Sequence, residues 1–273
     1  PFPRMGLAGS ATATLIAQAV SVALLTAYLY GKRYFLRLTR SELHLLRLNF
    51  QIVMVLIRKG LPMGLSMVIV SLSNLFLIAI VNAYGSEAAA AFGAASQIAS
   101  YVQMPALAIG GAATSMAAQN IGAGLWDRVS RITRIGVGFN FLLTGALVAV
   151  LYLFNREALA LFLPAEGGAI GLGVQINNLT LWSFIIFGIF NVMGGVVRAA
   201  GAVMVPLAVT FVSLMIVRIP LAAALGAWYG FDAVWWSFPV SFAMAALLTA
   251  WYYRYGKWKK TVLLKEAGGA SPA

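Results

Sequence analysis

The sequence predicts an all-α, polytopic helical membrane protein, on two observations. Of its 273 residues, 62% are hydrophobic and only 10% are charged, whereas a soluble domain carries about a quarter charged residues. The apolar residues also form uncharged runs of about 18 residues or more, each long enough to cross the hydrocarbon core of a bilayer. These runs are too long and too uniformly apolar for barrel strands, so their backbone can satisfy its hydrogen bonds only as helix.

Seven such runs follow one another, and each is predicted to be a transmembrane helix. They cover residues 7–30, 61–84, 89–120, 134–154, 170–197, 203–228 and 233–253. Pro62, Pro105 and Pro220 are predicted structural positions in the second, third and sixth runs. A proline ring removes a backbone donor and disturbs the helix that contains it.

The placement of the basic residues predicts the orientation in the membrane. The net charge of +12 could suggest a nucleic-acid partner. The bases are, however, concentrated after the first, third, fifth and seventh runs, and the alternate connections hold only Arg156. By the positive-inside rule, the 31–60 connection and the C-terminus are cytoplasmic. We therefore expect a multi-pass plasma-membrane protein, compatible with a bacterial inner membrane, and no nucleic-acid partner.

All seven acidic residues lie outside the apolar runs. They are Glu42, Glu87, Asp127, Glu157, Glu166, Asp232 and Glu266. A carboxylate within the membrane is the usual group through which a membrane protein couples to protons or sodium. We expect either that this chain needs no such group or that the group lies in another part of the protein.

The reactive side chains argue against an enzyme. The chain has no cysteine, and its single histidine, His44, lies in the 31–60 connection among leucines and arginines. Metal-ligand spacings and a phosphate-binding Gly-rich loop ending in Lys are absent from the sequence. We therefore expect no enzymatic activity, no cofactor and no metal.

The 31–60 connection is predicted to contain an amphipathic helix. Between Ser41 and Ile57 the apolar residues recur on one helical stripe, which is typical of a helix lying on the cytoplasmic interface. The alternative is an extended start to the second transmembrane helix.

Uncharged polar and aromatic side chains recur at helical spacing on three runs, and they are the candidate substrate-binding residues. They are Asn74 on the second run, Gln97, Tyr101 and Met104 on the third, and Asn177, Thr180, Phe184, Phe187 and Asn191 on the fifth. Such stripes place amides, aromatic rings and methionine on one helix face, where a water-accessible cavity would suit small organic cations and other amphiphiles. The alternative for any one amide is a hydrogen bond between helices.

Two further features of the runs are predicted to be structural. Arg218 lies just before Pro220, whose ring frees the carbonyl of Ile216. We expect the Arg218 guanidinium to bond such carbonyls or to reach the outer interface, rather than to contact a cationic substrate that it would repel. The small residues from Ala106 to Ala118 predict a close helix–helix contact.

Short motifs, taken in order, resemble the second half of MATE (multidrug and toxic compound extrusion) transporters. They are Gly60-Leu-Pro-Met-Gly-Leu-Ser-Met, Tyr101-Val-Gln-Met-Pro, Ala118-Gln-Asn-Ile-Gly-Ala-Gly, Val197-Arg-Ala-Ala-Gly, Arg218-Ile-Pro-Leu-Ala and Trp251-Tyr-Tyr with Trp258-Lys. The resemblance implies an antiporter of twelve helices in two six-helix lobes, which exports drugs in exchange for H⁺ or Na⁺ by alternating access.

The resemblance also implies a domain organisation. Residues 1–30 would be the last helix of the first lobe, 31–60 the inter-lobe linker, 61–255 the second lobe and 256–273 a cytoplasmic tail. Five helices of the first lobe are expected upstream of this chain. Many members of the family carry a Glu, used in cation coupling or substrate binding, where this chain has Val70. The coupling acid is therefore expected on the first lobe.

Three alternatives remain at this point. A related flippase for lipid-linked or polysaccharide cargo would need a basic cavity, and Arg218 is the only base inside a predicted helix away from its ends. A membrane-embedded enzyme or receptor would need a nucleophile, a metal set or a soluble domain. The seven helices could also be a whole protein that works as a dimer.

Overall fold

The computed structural model describes residues 6–32, 49–164 and 167–260. These residues divide between two compact units, 1–50 and 51–273. The helix of the first unit is α1 (Gly6–Gly31), which is apolar and exposed on all sides within that unit. A helix that is hydrophobic all round is typical of a membrane span.

The second unit contains ten α-helices in the described ranges. They are α2 (Phe50–Asn82), α3 (Ser86–Gly122), α4 (Trp126–Leu153), α5 (Asn155–Ala160), α6 (Ala169–Thr180), α7 (Ser183–Ala199), α8 (Met204–Phe211), α9 (Ile219–Tyr229), α10 (Phe231–Val234) and α11 (Ser237–Tyr255). A π-helical segment, Val212–Arg218, joins α8 to α9, and a 3-10 turn follows α11. The described residues form no strand, as the all-α prediction requires.

Five stretches in the described residues are long and apolar enough to cross a membrane. The number is six if α6 and α7, which meet at a bend of 45°, form one broken span. The one remaining predicted span, the third run at 89–120, is helical as part of α3. Its hydropathy is lower than that of the other spans, because Ser, Gly, Gln and Asn recur along it. The helices are confirmed, whereas composition and length alone support six spans rather than seven.

The start of α2 differs from the interface helix expected in the linker. Residues 50–57 continue without a break into α2, which corresponds to the alternative of an extended start. Residues 41–48, where that helix was expected to begin, lie outside the described ranges. Lys59 lies before the start of the predicted apolar run at residue 61, but α2 already includes it, and its Nζ donates to the Gly201 carbonyl at 3.0 Å.

The core of the second unit is the contact of α7 with α3 and α4, and small residues make it possible. A Cβ on Gly110 of α3 would meet the side-chain amide of Asn191, and one on Gly195 of α7 would meet Thr114. Similarly, a Cβ on Gly188 would meet the Asn140 side chain of α4. The close contact predicted from the small-residue run is confirmed.

The acidic residues that the structure describes all lie in the first turn of a helix. The first turn of α3 contains Glu87, that of α4 contains Asp127, that of α5 contains Glu157 and that of α10 contains Asp232. Negative charge is favourable there because the first backbone N–H groups of a helix are unpaired. These carboxylates therefore have structural places at helix ends.

Candidate substrate cavity

The second unit contains a cavity of about 560 Å³. Residues of α2, α3, α7, α8, the π-helical segment and α11 line it. Sites for small organic molecules occupy about 300–1,000 Å³ and combine apolar walls with a few polar groups. The size of this cavity therefore fits a small organic ligand.

One wall is aromatic and comes mainly from α7. Phe184, Phe187 and Phe190 line the cavity together with Phe238 and Phe242 of α11. The ring centroids of Phe187 and Phe242 are 5.2 Å apart, and those of Phe184 and Phe242 are 5.5 Å apart. These distances are typical of favourable aromatic contacts. Gly188 of α7 packs against α4 and Gly195 packs against α3, which leaves the aromatic face of α7 for the cavity.

A second part of the wall is one face of α2. Met63, Met67, Val70, Ser71 and Asn74 line the cavity, at the spacing of a single helical stripe. Val70, where the family resemblance led us to look for a glutamate, therefore faces the cavity with an apolar side chain. Met side chains adapt to ligands of different shape because they are unbranched and polarizable.

Arg218 enters the cavity wall from the π-helical segment. Its Nε donates to Ser241 Oγ at 2.9 Å, and that hydroxyl donates to the Phe238 carbonyl at 2.9 Å. The guanidinium carbon lies 4.5 Å from the ring centroids of both Phe238 and Phe242. The expected bond from Arg218 to a carbonyl freed by Pro220 is not formed. The π-helical turn rearranges the backbone bonds there, and Ser241 takes the guanidinium.

Arg198 is a second base in the lining, and the sequence did not single it out. It lies in the last turn of α7 and is partly buried. In the sequence analysis it was one of the bases between predicted helices that indicate the orientation in the membrane. Among the described residues that line the cavity, two carry positive charge and none is Asp or Glu. This polarity does not favour the cationic substrate expected from the stripes.

The stripe predicted on α3 lies on a different face from the cavity. Gln97, Tyr101 and Met104 are exposed and do not line the cavity, whereas Gln103 and Leu107 do. Amides occur on two faces of α3, and periodicity does not indicate which face meets α7. Gln103 was therefore missed.

Asn177 and Thr180 have structural partners in α5 and α6. The Asn177 side chain donates to Asn155 Oδ1 at 2.7 Å, and Asn155 Nδ2 donates to Asn178 Oδ1 at 3.1 Å. Thr180 Oγ1 donates to the Ile176 carbonyl at 2.8 Å. These contacts match the alternative of hydrogen bonding within the bundle, and neither residue lines the cavity of about 560 Å³.

Asn191 has both roles that the sequence left open. Its Nδ2 donates to the Ala106 carbonyl of α3 at 3.0 Å, and the residue also lines the cavity. Of the nine candidate residues, Asn74, Phe184, Phe187 and Asn191 come together in the cavity.

The prolines occupy three different helix positions. Pro62 is buried inside α2, and its carbonyl accepts a hydrogen bond from Ser66 Oγ at 3.0 Å. Pro105 lies inside α3, which continues past it to Gly122. Pro220 is the second residue of α9 and lies inside the continuous span Met204–Tyr229. It directly follows the π-helical segment that carries Arg218.

Comparisons with known proteins give a consistent result. The MatE family model matches residues 62–224. The chain is 35% identical over 261 residues to the probable multidrug resistance protein YoeA of Bacillus subtilis, covering 95% of this chain and 56% of that protein. It is 31% identical over 264 residues to the probable multidrug resistance protein YpnP of the same organism, with coverages of 96% and 58%.

Solved structures agree on the fold. A MATE structure in complex with MaL6 superposes with a TM-score of 0.85 at 19% identity, over 94% of this chain and 58% of that one. An outward-facing multidrug resistance MATE family transporter superposes with a TM-score of 0.84 at 20% identity, over 94% and 57%. The chain thus spans between half and two thirds of the length of these proteins. Since the family model matches more than half of its residues, the chain belongs to the MatE family.

Proposed function

We propose that this chain is the second-lobe portion of a secondary active transporter that exports small organic compounds in exchange for H⁺ or Na⁺. The observation that carries the proposal is a cavity of about 560 Å³, lined by aromatic, methionine and polar side chains, in a member of the MatE family. The partial coverage of the relatives supports the proposed organisation, with 1–30 ending a first lobe, 31–60 as linker, 61–255 as second lobe and 256–273 as tail. Transport would proceed by rocking of one lobe against the other.

The proposed substrate contacts are the four predicted residues that line the cavity, Asn74, Phe184, Phe187 and Asn191. Rings supply apolar contact area, and amides supply donors and acceptors that orient a ligand. Gln97, Tyr101, Met104, Asn177 and Thr180 are not proposed as contacts, since they do not line it.

The proposed localisation is the plasma membrane, which in a bacterium is the inner membrane. The 31–60 connection and the C-terminus would lie in the cytoplasm. The described cavity lining holds no carboxylate. We therefore place the coupling acid on the first lobe, as the sequence led us to expect.

A second candidate function is a flippase for lipid-linked or polysaccharide cargo. It is favoured by the finding that Arg198 joins Arg218 in the cavity wall, because such cargo carries phosphate groups. The volume of the cavity argues for the small compound, since it falls in the range of drug-sized ligands.

The test is transport by the protein expressed from its complete coding sequence and reconstituted in liposomes. An imposed pH or Na⁺ gradient should drive movement of small aromatic dyes, tested as anionic, neutral and cationic members of one series. Phe187→Ala should lower the rate, because it removes a ring from the cavity wall. Phe139→Ala is the matched control, since Phe139 is exposed on α4 outside the cavity. The flippase would instead be established if no dye were transported in response to the gradient and a fluorescent polyprenyl pyrophosphate were moved across the membrane.

A further inference from the structure

We propose that the cavity contains an anion subsite, in which Arg218, Ser213 and Arg198 bind the carboxylate, sulfonate or phosphate group of an organic anion. The inference rests on the proposed transport function and names its substrate class. It predicts an amphiphilic anion whose apolar body lies against the phenylalanine rings.

Arg218 is held in place and only partly used. Its Nε is bonded to Ser241, and its guanidinium lies against the rings of Phe238 and Phe242. Its Nη2 has no hydrogen-bond partner among the described residues, although the side chain is only 4% exposed. A guanidinium has five N–H donors in a planar fork that matches a carboxylate or phosphate. A guanidinium that is fixed in position and still has an unpaired donor is suited to an anionic ligand.

A structural role alone does not explain this arginine. Burying an unpaired charge is strongly unfavourable, and stable proteins pair such charges or expose them. No described acid lies in the cavity lining, and the two rings offset only part of the cost. An anion bound in the cavity would supply the missing charge.

Ser213 provides an independent second observation. Its side chain lines the same cavity and is 1% exposed, and its Oγ also lacks a partner among the described residues. Ser213 and Arg218 are five residues apart in the π-helical segment Val212–Arg218. Residues five apart lie on the same side of a π-helix, because its hydrogen bonds close from i to i+5. In a regular α-helix they would diverge by well over a quarter turn. The π-helical turn therefore brings two unpaired donors to one wall.

Arg198 supplies a second charge from α7. A base in the last turn of a helix is favourable in itself, which accounts for its place in the chain. It does not account for its place in the cavity lining. One of its terminal nitrogens, Nη1, lies beside Gly194, 3.3 Å from the position that a Cβ would occupy there. The absence of a side chain at Gly194 leaves room for the guanidinium along the cavity face of α7.

The experiment is equilibrium dialysis of the purified protein, expressed from its complete coding sequence, against three naphthalene probes. They are 2-naphthoate, 2-naphthylmethanol and 2-naphthylmethylammonium, which share one ring system and differ in charge. The anion should bind more tightly than the neutral probe, and the cation more weakly. Arg218→Gln should weaken naphthoate binding by about tenfold, the loss of a charge-assisted hydrogen bond. Arg198→Gln and Ser213→Ala should each weaken it by about threefold.

Controls separate binding from folding. Arg131→Gln removes the same charge from an exposed position outside the cavity and should leave naphthoate binding unchanged. Arg218→Lys should restore part of the affinity, and each subsite variant should weaken the binding of naphthoate by a larger factor than the binding of 2-naphthylmethanol. Displacement of naphthoate by dihexanoyl phosphatidate would identify a lipid phosphate as the ligand, whereas no displacement would identify a soluble organic anion. Both results are consistent with an anion subsite at these residues.

The subsite is overturned if the cation binds as tightly as the anion, or if Arg218→Gln binds naphthoate like the parent protein. Gradient-driven dye transport combined with either result would leave the transport proposal standing without the subsite. Anion binding without gradient-driven transport of any dye would leave the subsite standing and contradict the transport proposal.

Discussion

The closest approach of α3 and α7 gives a sharp test of the packing. Gly110 has no room for a side chain, because an added Cβ would meet Asn191 Nδ2 and lie 3.0 Å from Asn191 Cγ. Gly111, the next residue of the same helix, has nothing within 4 Å of its Cβ position. Gly110→Ala and Gly111→Ala are therefore the same chemical change in two different environments.

The expected cost at Gly110 follows from what the new methyl group displaces. It must push the Asn191 amide away from the Ala106 carbonyl, to which it now donates at 3.0 Å. An unpaired buried group costs about 1–3 kcal/mol, and overpacking costs about 1–3 kcal/mol. Alanine offsets about 0.5–1 kcal/mol through its higher helix propensity. With the middle of each range, the net loss for Gly110→Ala is about 3 kcal/mol, whereas Gly111→Ala is neutral or slightly stabilising.

The assay is thermal unfolding of the purified protein in detergent, followed by tryptophan fluorescence at a fixed scan rate. Gly110→Ala should lower the unfolding midpoint by on the order of 5–10 °C relative to Gly111→Ala. Adding Asn191→Ala to Gly110→Ala should recover part of the loss, because the displaced amide is then gone. Equal midpoints for the two glycine variants would refute the close contact.

Three further changes test other parts of the fold by the same unfolding assay. Trp258→Ala should cost about 3–5 kcal/mol, because the indole is 1% exposed and its Nε1 donates to the Tyr253 carbonyl at 2.7 Å; an unchanged midpoint would contradict this. Asn140→Ala should cost about 1–3 kcal/mol, since it leaves the Ile185 carbonyl without the amide that donates to it at 3.1 Å; full stability would show that the bond contributes nothing. Gly230→Ala should cost about 1–3 kcal/mol through backbone strain, because Gly230 has φ 82° and ψ −168°; a stable variant would exclude that conformation.

The helices could be predicted closely where composition decides them. The run 203–228 corresponds to the span Met204–Tyr229, because apolar residues fill the segment and glycines with positive φ, Gly201 and Gly230, flank it. The predicted start of α2, at residue 61, was too far along the chain, because the charge of Lys59 excluded the residues before it from the apolar run. In the structure the Lys59 Nζ reaches the Gly201 carbonyl. The break between α6 and α7 was not predicted, since no proline or glycine occupies residues 181 and 182. Ser183 Oγ donates to the Thr180 carbonyl at that break, a contact that periodicity does not show.

The cavity could be predicted only in part, because sequence shows which residues share a helix face but not what that face meets. On α7 the aromatic stripe and the glycine face are distinct, so Phe184 and Phe187 were found. On α3 two faces carry amides, and the stripe with Gln97 was chosen over the one with Gln103. Arg198 was assigned to orientation, since a base near a helix end fits the positive-inside pattern as well as a binding site.

The polarity of the cavity can be measured directly at a single thiol, because the chain has no cysteine of its own. Ser71 is exposed on α2 and lines the cavity, so Ser71→Cys gives this chain a single thiol at the cavity, and the protein without that substitution is treated in parallel to subtract modification elsewhere. The rates of modification by anionic and cationic methanethiosulfonate reagents are compared and normalised to those of free 2-mercaptoethanol. Two guanidinium groups in the wall should raise the anion-to-cation rate ratio by on the order of threefold or more, and Arg218→Gln should lower it. A ratio at or below that of the free thiol would contradict an electropositive substrate cavity in this lobe.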